Sequence, residues 1–175
     1  MLTRKCLVWL VVIFSAQCLA DDYKKDYSAA SAEYGVPKQV LYAIGLKESG
    51  ITTSLDEYRP WPYTLNIYGK DYRFNSLSNA CTALTAALKK TEAIDIGETQ
   101  LHWKYQKVDG VEPCDYFDRR TSLKQTSVVL LNCYKQHQNW VSAAGCYHFP
   151  KGGVVAEKYM RSYANILESV IKEDW

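Results

Sequence analysis

The chain has 175 residues, with 21 Lys and Arg against 19 Asp and Glu, and 13% of its side chains are aromatic. Setting aside Arg4 and Lys5 in the N-terminal leader leaves 19 basic residues against 19 acidic ones. That balance argues against nucleic acid as a partner, because phosphate binding needs a basic surplus. Beyond the leader no run is long and apolar enough for a membrane-spanning helix, and no cofactor motif or metal-ligand spacing is present.

Residues 1–20 read as a secretory signal peptide. Arg4 and Lys5 precede an apolar run from Leu7 to Phe14, and Cys18 and Ala20 stand at the positions a signal peptidase reads, so cleavage is expected after Ala20. Acylation of Cys18 is the weaker alternative, because Gln17 is large for the residue before a lipidated cysteine. The rest, residues 21–175, is long enough for one domain with its own core, expected to be exported to the periplasm. Four cysteines remain there: Cys81, Cys114, Cys133 and Cys146. An even number in an exported chain implies two disulfides. Three connectivities are possible and spacing alone does not choose; Cys81–Cys114 with Cys133–Cys146 is the favoured pairing.

Asp21 to Tyr34 carries Tyr27, Ala30 and Tyr34 at helical spacing, and Gly35 breaks it. Pro37 suits the first position of a second helix that stops at Gly50, with Val40, Leu41 and Ile44 as its apolar stripe. Residues 51–63 have no helical period and read as a proline-stiffened loop. Thr64–Tyr68 alternates as a short strand, with Tyr72–Phe74 returning as its hairpin partner. Ser76–Thr91 reads as a helix with Leu77, Cys81, Leu84 and Leu88 on one face. Asp95–Trp103 reads as a turn running into an irregular short helix. Thr121–Gln138 predicts a helix with Leu123, Val128, Leu131 and Tyr134 inside. Asn139 caps a short helix ending at Gly145, and Cys146–Pro150 reads as loop. Val154–Ile171 closes the chain as a helix, with Val155, Tyr159, Tyr163, Ile166 and Val170 as core. The sum is a single α+β domain, mainly α, with a small β-hairpin.

One residue contradicts its surroundings. Glu48 lies four positions after Ile44 and seven after Leu41, on the apolar stripe at the helix C-terminus. Desolvation and the negative end of the helix dipole both oppose its ionised form there, the situation a general acid needs. A solvated end residue on a slightly rotated helix is the competing reading. A second acid for an ordinary glycosidase is hard to find, with Asp95 better placed than Asp56, Glu57 or Glu98. No Gly-x-Ser-x-Gly elbow is present, and His102, His137 and His148 are too irregular for a metal motif.

Four motifs in order resemble one family. Glu48-Ser49-Gly50, Ile96-Gly97-Glu98-Thr99-Gln100 and Ala144-Gly145-Cys146-Tyr147-His148 are similar to the catalytic, Gly-Leu-Met-Gln and Ala-Tyr-Asn segments of the lytic transglycosylases related to goose-type lysozyme. The stretch Arg59-Pro60-Trp61-Pro62-Tyr63-Thr64-Leu65-Asn66 resembles the branch encoded by conjugative elements and tied to type IV secretion. The likeness covers residues 34–150, about two thirds of the chain. It departs at Glu98-Thr99, expected to make the cleft floor more polar, and at His148, which stands where many members carry Asn.

The resemblance implies a lysozyme-like fold that cleaves the MurNAc-β-1,4-GlcNAc bond of peptidoglycan without water. Glu48 protonates the glycosidic oxygen and then, as base, helps the muramic 6-hydroxyl close on C1 to give a 1,6-anhydro end. One carboxylate suffices for this. Ser49 and Tyr147 would support Glu48, with Tyr147 steering the carboxyl. Asn66, Gln100, Trp61, Trp103 and His148 would contact the glycan, although core packing or turn closure explains each equally well. Glycan strands are the expected partner, a secretion or conjugation apparatus the expected recruiter, and a monomer the expected state. A goose-type lysozyme using Asp95 or Glu98 to hold a water, and an inactive peptidoglycan-binding protein of the same fold, are the rival expectations.

Overall fold

The computed structural model describes residues 24–173, and the predicted signal peptide and its cleavage site lie outside them. Residues 24–34 form α1, which ends at Gly35, where φ is +77°. Helix α2 (Lys38–Ser49) follows, with Pro37 one residue earlier than expected, at its N-cap. Two short strands, β1 (Ile51–Thr52) and β2 (Tyr58–Arg59), pair antiparallel within the proline-rich loop. The expected hairpin is present as β3 (Thr64–Ile67) and β4 (Lys70–Arg73), followed by α3 (Leu77–Leu88). Then come β5 (Ile94–Ile96), β6 (Leu101–His102), α4 (Trp103–Gln106), a 3₁₀ turn over Pro113–Phe117, α5 (Arg119–His137), α6 (Trp140–His148) and α7 (Val154–Lys172). The architecture is α+β and mainly α.

The sheet is larger than its sequence suggests. Its order is β4-β3-β5-β6, all antiparallel. Asp95 and Ile96, expected in a turn, are strand residues, and the turn falls at 97–100. There Gly97 (φ +80°) and Gln100 (φ +52°) reverse the chain between β5 and β6. A Cβ on Gly97 would run into the carbonyl of Tyr116, so the turn also needs glycine for close approach.

Helix α2 is the centre of the core. Every residue from Val40 to Leu46 is buried, so the helix is enclosed on nearly all sides rather than along one stripe. It packs against α7 and α5. Gly45 sits where a Cβ would meet Pro60 and the Tyr27 hydroxyl at 2.8 Å, which lets the proline loop lie against the helix. Fully buried Leu41 and Ile44 each contribute about 1.5–3 kcal/mol by leaving water.

Single positions on three helices depart from expectation. On α5, Leu123 is buried as expected, but Val128 is 47% exposed and the rest of the buried face is Ser122, Thr126, Ser127, Leu130 and Cys133. Leu77 and Val155, in the first turns of α3 and α7, are also exposed, while Ala80 and Ala156 are buried. Helix α6 does not stop at Gly145 but continues to His148, so Tyr147 and His148 are helical rather than in a loop. Gly145 is required in mid-helix, since a Cβ there would sit 2.5 Å from Met160 on α7. Both disulfides form in the favoured pairing, Cys81–Cys114 and Cys133–Cys146, with Cα separations of 5.5 and 5.8 Å. Among the described residues no helix is long and apolar enough to cross a membrane.

Candidate active site

Glu48 lies on the last turn of α2, and its side chain is 12% exposed. It is neither a solvated end residue nor sealed in the core. The Tyr159 hydroxyl donates to Glu48 Oε1 at 2.6 Å. This tyrosine, expected as core, comes from α7, which packs along α2. Burial, followed by the charge of Glu48, raises the Tyr159 pKa well above the ordinary phenol value, so it remains a donor across the useful pH range. His148 Nδ1 lies 3.8 Å from the same carboxylate oxygen. Its ring stacks on that of Tyr159, with centroids 4.2 Å apart and planes 12° from parallel.

The expected partner, Tyr147, does not bond Glu48. Its hydroxyl donates to the Thr99 carbonyl at 2.6 Å. Burial, then the Glu48 charge, raises its pKa too, so it lies within electrostatic reach of the carboxylate while being anchored elsewhere. The reason is local. Tyr147, on α6, faces the buried cluster in which Thr99, Ser122 and Thr126 bond one another at 2.7 and 2.8 Å.

Ser49 is fully buried and ties three segments together. Its hydroxyl donates to the Glu98 carbonyl at 2.8 Å, lies 3.2 Å from the Gly45 carbonyl, and accepts the Trp61 backbone N–H at 3.0 Å. Gly50 ends the helix with an ordinary negative φ. Its role is space, since a Cβ would collide with the Leu46 carbonyl and the ring of Tyr58.

The second wall is the sheet. Asp71, Asn66, Asp95 and His102 are cross-strand partners in one row over β4, β3, β5 and β6, on the face opposite Leu65 and Ile96. Burial pushes the Asp95 carboxyl up to about 6, against the opposing pull of His102, and the Glu48 charge adds to the rise. Asp95 and Glu48 therefore sense each other across the site. His102 Nδ1 is buried with no hydrogen-bond partner among the described residues.

Several expected contacts are turned inward. Glu98 is 1% exposed, bonded to Arg119 Nε at 3.0 Å and to the Tyr27 hydroxyl at 3.1 Å. Thr99 is buried as well, so neither makes the cleft floor more polar, and Glu98 is not free to hold a water. Burial raises the Glu98 pKa despite Arg119. Gln100 closes its own turn, donating to the carbonyls of Gly97 (2.8 Å) and Thr64 (3.3 Å). Asn66 closes the hairpin through Asp71 and the Gly69 N–H. Trp61 donates its indole N–H to the Phe74 carbonyl, and Trp103 packs edge-on against Tyr116. The structure thus brings Glu48, His148 and Asp95 together and gives the other expected contacts structural roles. Tyr159 was missed because an inward tyrosine on a helix has no sequence mark separating core from site.

Among the described residues no His, Cys, Asp and Glu cluster is arranged to hold a metal. A surface depression lined by Leu88, Lys89, Glu112 and Cys114 lies elsewhere and holds neither Glu48 nor Asp95. No family model matches the chain, and no curated protein or solved structure matches it. What the site does is therefore argued from its own residues.

Proposed function

We propose that the chain is a peptidoglycan lytic transglycosylase with a lysozyme-like fold and Glu48 as its general acid and base. The observation that carries this is the placement of Glu48. It is a partly shielded carboxyl on the end of the most buried helix, oriented by a 2.6 Å tyrosine hydroxyl and close enough to Asp95 of the polar sheet row for its charge to raise that carboxyl's pKa. In this reading Glu48 gives its proton to the glycosidic oxygen as the MurNAc C1–O bond breaks. It then takes the proton of the muramic 6-hydroxyl as that oxygen closes on C1. Tyr159 holds the carboxyl through both steps, and the internal nucleophile replaces a positioned water. The two disulfides fit an exported protein acting in the periplasm, where a secretion or conjugation apparatus would recruit it.

Asp95 favours a second reading. A second carboxyl within electrostatic reach of Glu48 is what a hydrolase would use to activate water, the goose-type lysozyme reading. Mass spectrometry of the products released from purified sacculi separates the two: 1,6-anhydro-muropeptides support the lytic reaction and reducing ends the hydrolytic one. Glu48→Gln is expected to lower release by at least about 100-fold. Equal release by wild type and variant sinks Glu48 as the acid, and release by neither sinks the enzymatic reading.

A further inference from the structure

We infer that His148 is a positioning residue, whose ring holds the Tyr159 hydroxyl in line with Glu48. The inference rests on Glu48 being the acid proposed above. Three rings from two helices form a parallel column: His148, Tyr159 and Tyr163. The Tyr159–Tyr163 planes are 11° apart with centroids at 6.2 Å. The column runs from the surface inward, from a 40% exposed His148 side chain through a 5% exposed Tyr159 to a fully buried Tyr163. Tyr163 anchors the inner end with its hydroxyl on the Val40 carbonyl at 3.1 Å. His148 closes the outer end and covers a Tyr159 ring that would otherwise meet solvent.

The distance to Glu48 separates this role from a direct one. At 3.8 Å, His148 Nδ1 is beyond the 2.7–3.2 Å of an N–H···O bond, whereas its ring is at stacking distance from Tyr159. The imidazole acts through the tyrosine. Its own place is set by α6: Cys146, two residues before it, is bonded to Cys133, and Gly145 lets α6 lie directly on Met160 of α7.

The test compares His148→Ala, which removes the ring, with His148→Phe, which keeps a ring and removes the nitrogens. In release of muropeptides from sacculi, the alanine variant is expected to lose about 10-fold in kcat with KM near wild type, because aim is lost and binding is not. The phenylalanine variant is expected within about 2-fold of wild type, since stacking is retained. An alanine variant as fast as wild type overturns the inference, and so does a phenylalanine variant as slow as the alanine one. NMR provides an arm independent of turnover. The Tyr159 ring protons, identified by their loss in Tyr159→Phe, are expected to shift in His148→Ala and to keep a ring-current displacement in His148→Phe. Ring signals unmoved in the alanine variant overturn the inference even if wild type releases nothing, a result that by itself sinks only the proposed activity.

Discussion

At the scale of single residues, Asp95 ties stability to pH. Burial raises its pKa from 3.8 to about 6, so the folded chain binds its proton more tightly than the unfolded chain does. Between those values the folded state carries the larger share of protons, and stability from this group falls as pH rises. Asp95→Asn removes the titration. Urea midpoints from pH 4 to 7 should decline for wild type and decline less for the variant; parallel profiles would show that Asp95 is solvated. Glu48 was legible in sequence because an acid on an apolar stripe breaks a pattern. Its tyrosine was not. Tyr159 and Tyr163 share an inner face at a spacing of four, and only packing against α2 shows that one reaches a carbonyl and the other a carboxylate.

At the scale of elements, the turn between β5 and β6 is held from below by a buried ion pair. Glu98 accepts from Arg119 and Tyr27, and Arg119 also meets Asp26 at 3.4 Å. Removing the cation while leaving the buried acid is costly, about 3–5 kcal/mol. Arg119→Met should therefore destabilise much more than Glu98→Gln, which keeps an acceptor for Tyr27 and removes a charge that burial already disfavours. Denaturant unfolding of the two variants checks the order. Helices with a periodic apolar face were legible, and Asn139 caps α6 as expected by accepting from the Ser142 N–H; Ser76 caps α3 in the same way through the Asn79 N–H. Strands of two or three residues were not, because β5 and β6 are too short for alternation and the pair is anchored by β3, far back along the chain. The end of α6 was misplaced for a different reason. Gly145 looks like a stop, but it serves close approach to Met160.

At the scale of the whole molecule, the two disulfides should separate stability from turnover. Cys81–Cys114 spans 33 positions and Cys133–Cys146 spans 13. Chain entropy assigns them about 4 and about 3 kcal/mol. Replacing Cys81 and Cys114 by Ser should lower the melting temperature more and leave kcat nearly intact, because that bridge ties α3 to the 3₁₀ turn. Replacing Cys133 and Cys146 should cost less in melting temperature and more in kcat, because α6 carries Tyr147 and His148. Calorimetry with muropeptide release reads both, and the same loss of turnover in the two variants would refute the division. Fold class was readable because helix periodicity dominates the chain. The enclosure of α2 was not, since burial on every side depends on neighbours from both ends of the sequence.

Ser49 has a mechanical consequence. One hydroxyl fastens the proline loop and the β5–β6 turn to the end of the central helix, so the three cannot slide apart without breaking it. Under the proposed activity, a glycan strand would meet a fixed jaw at the acid.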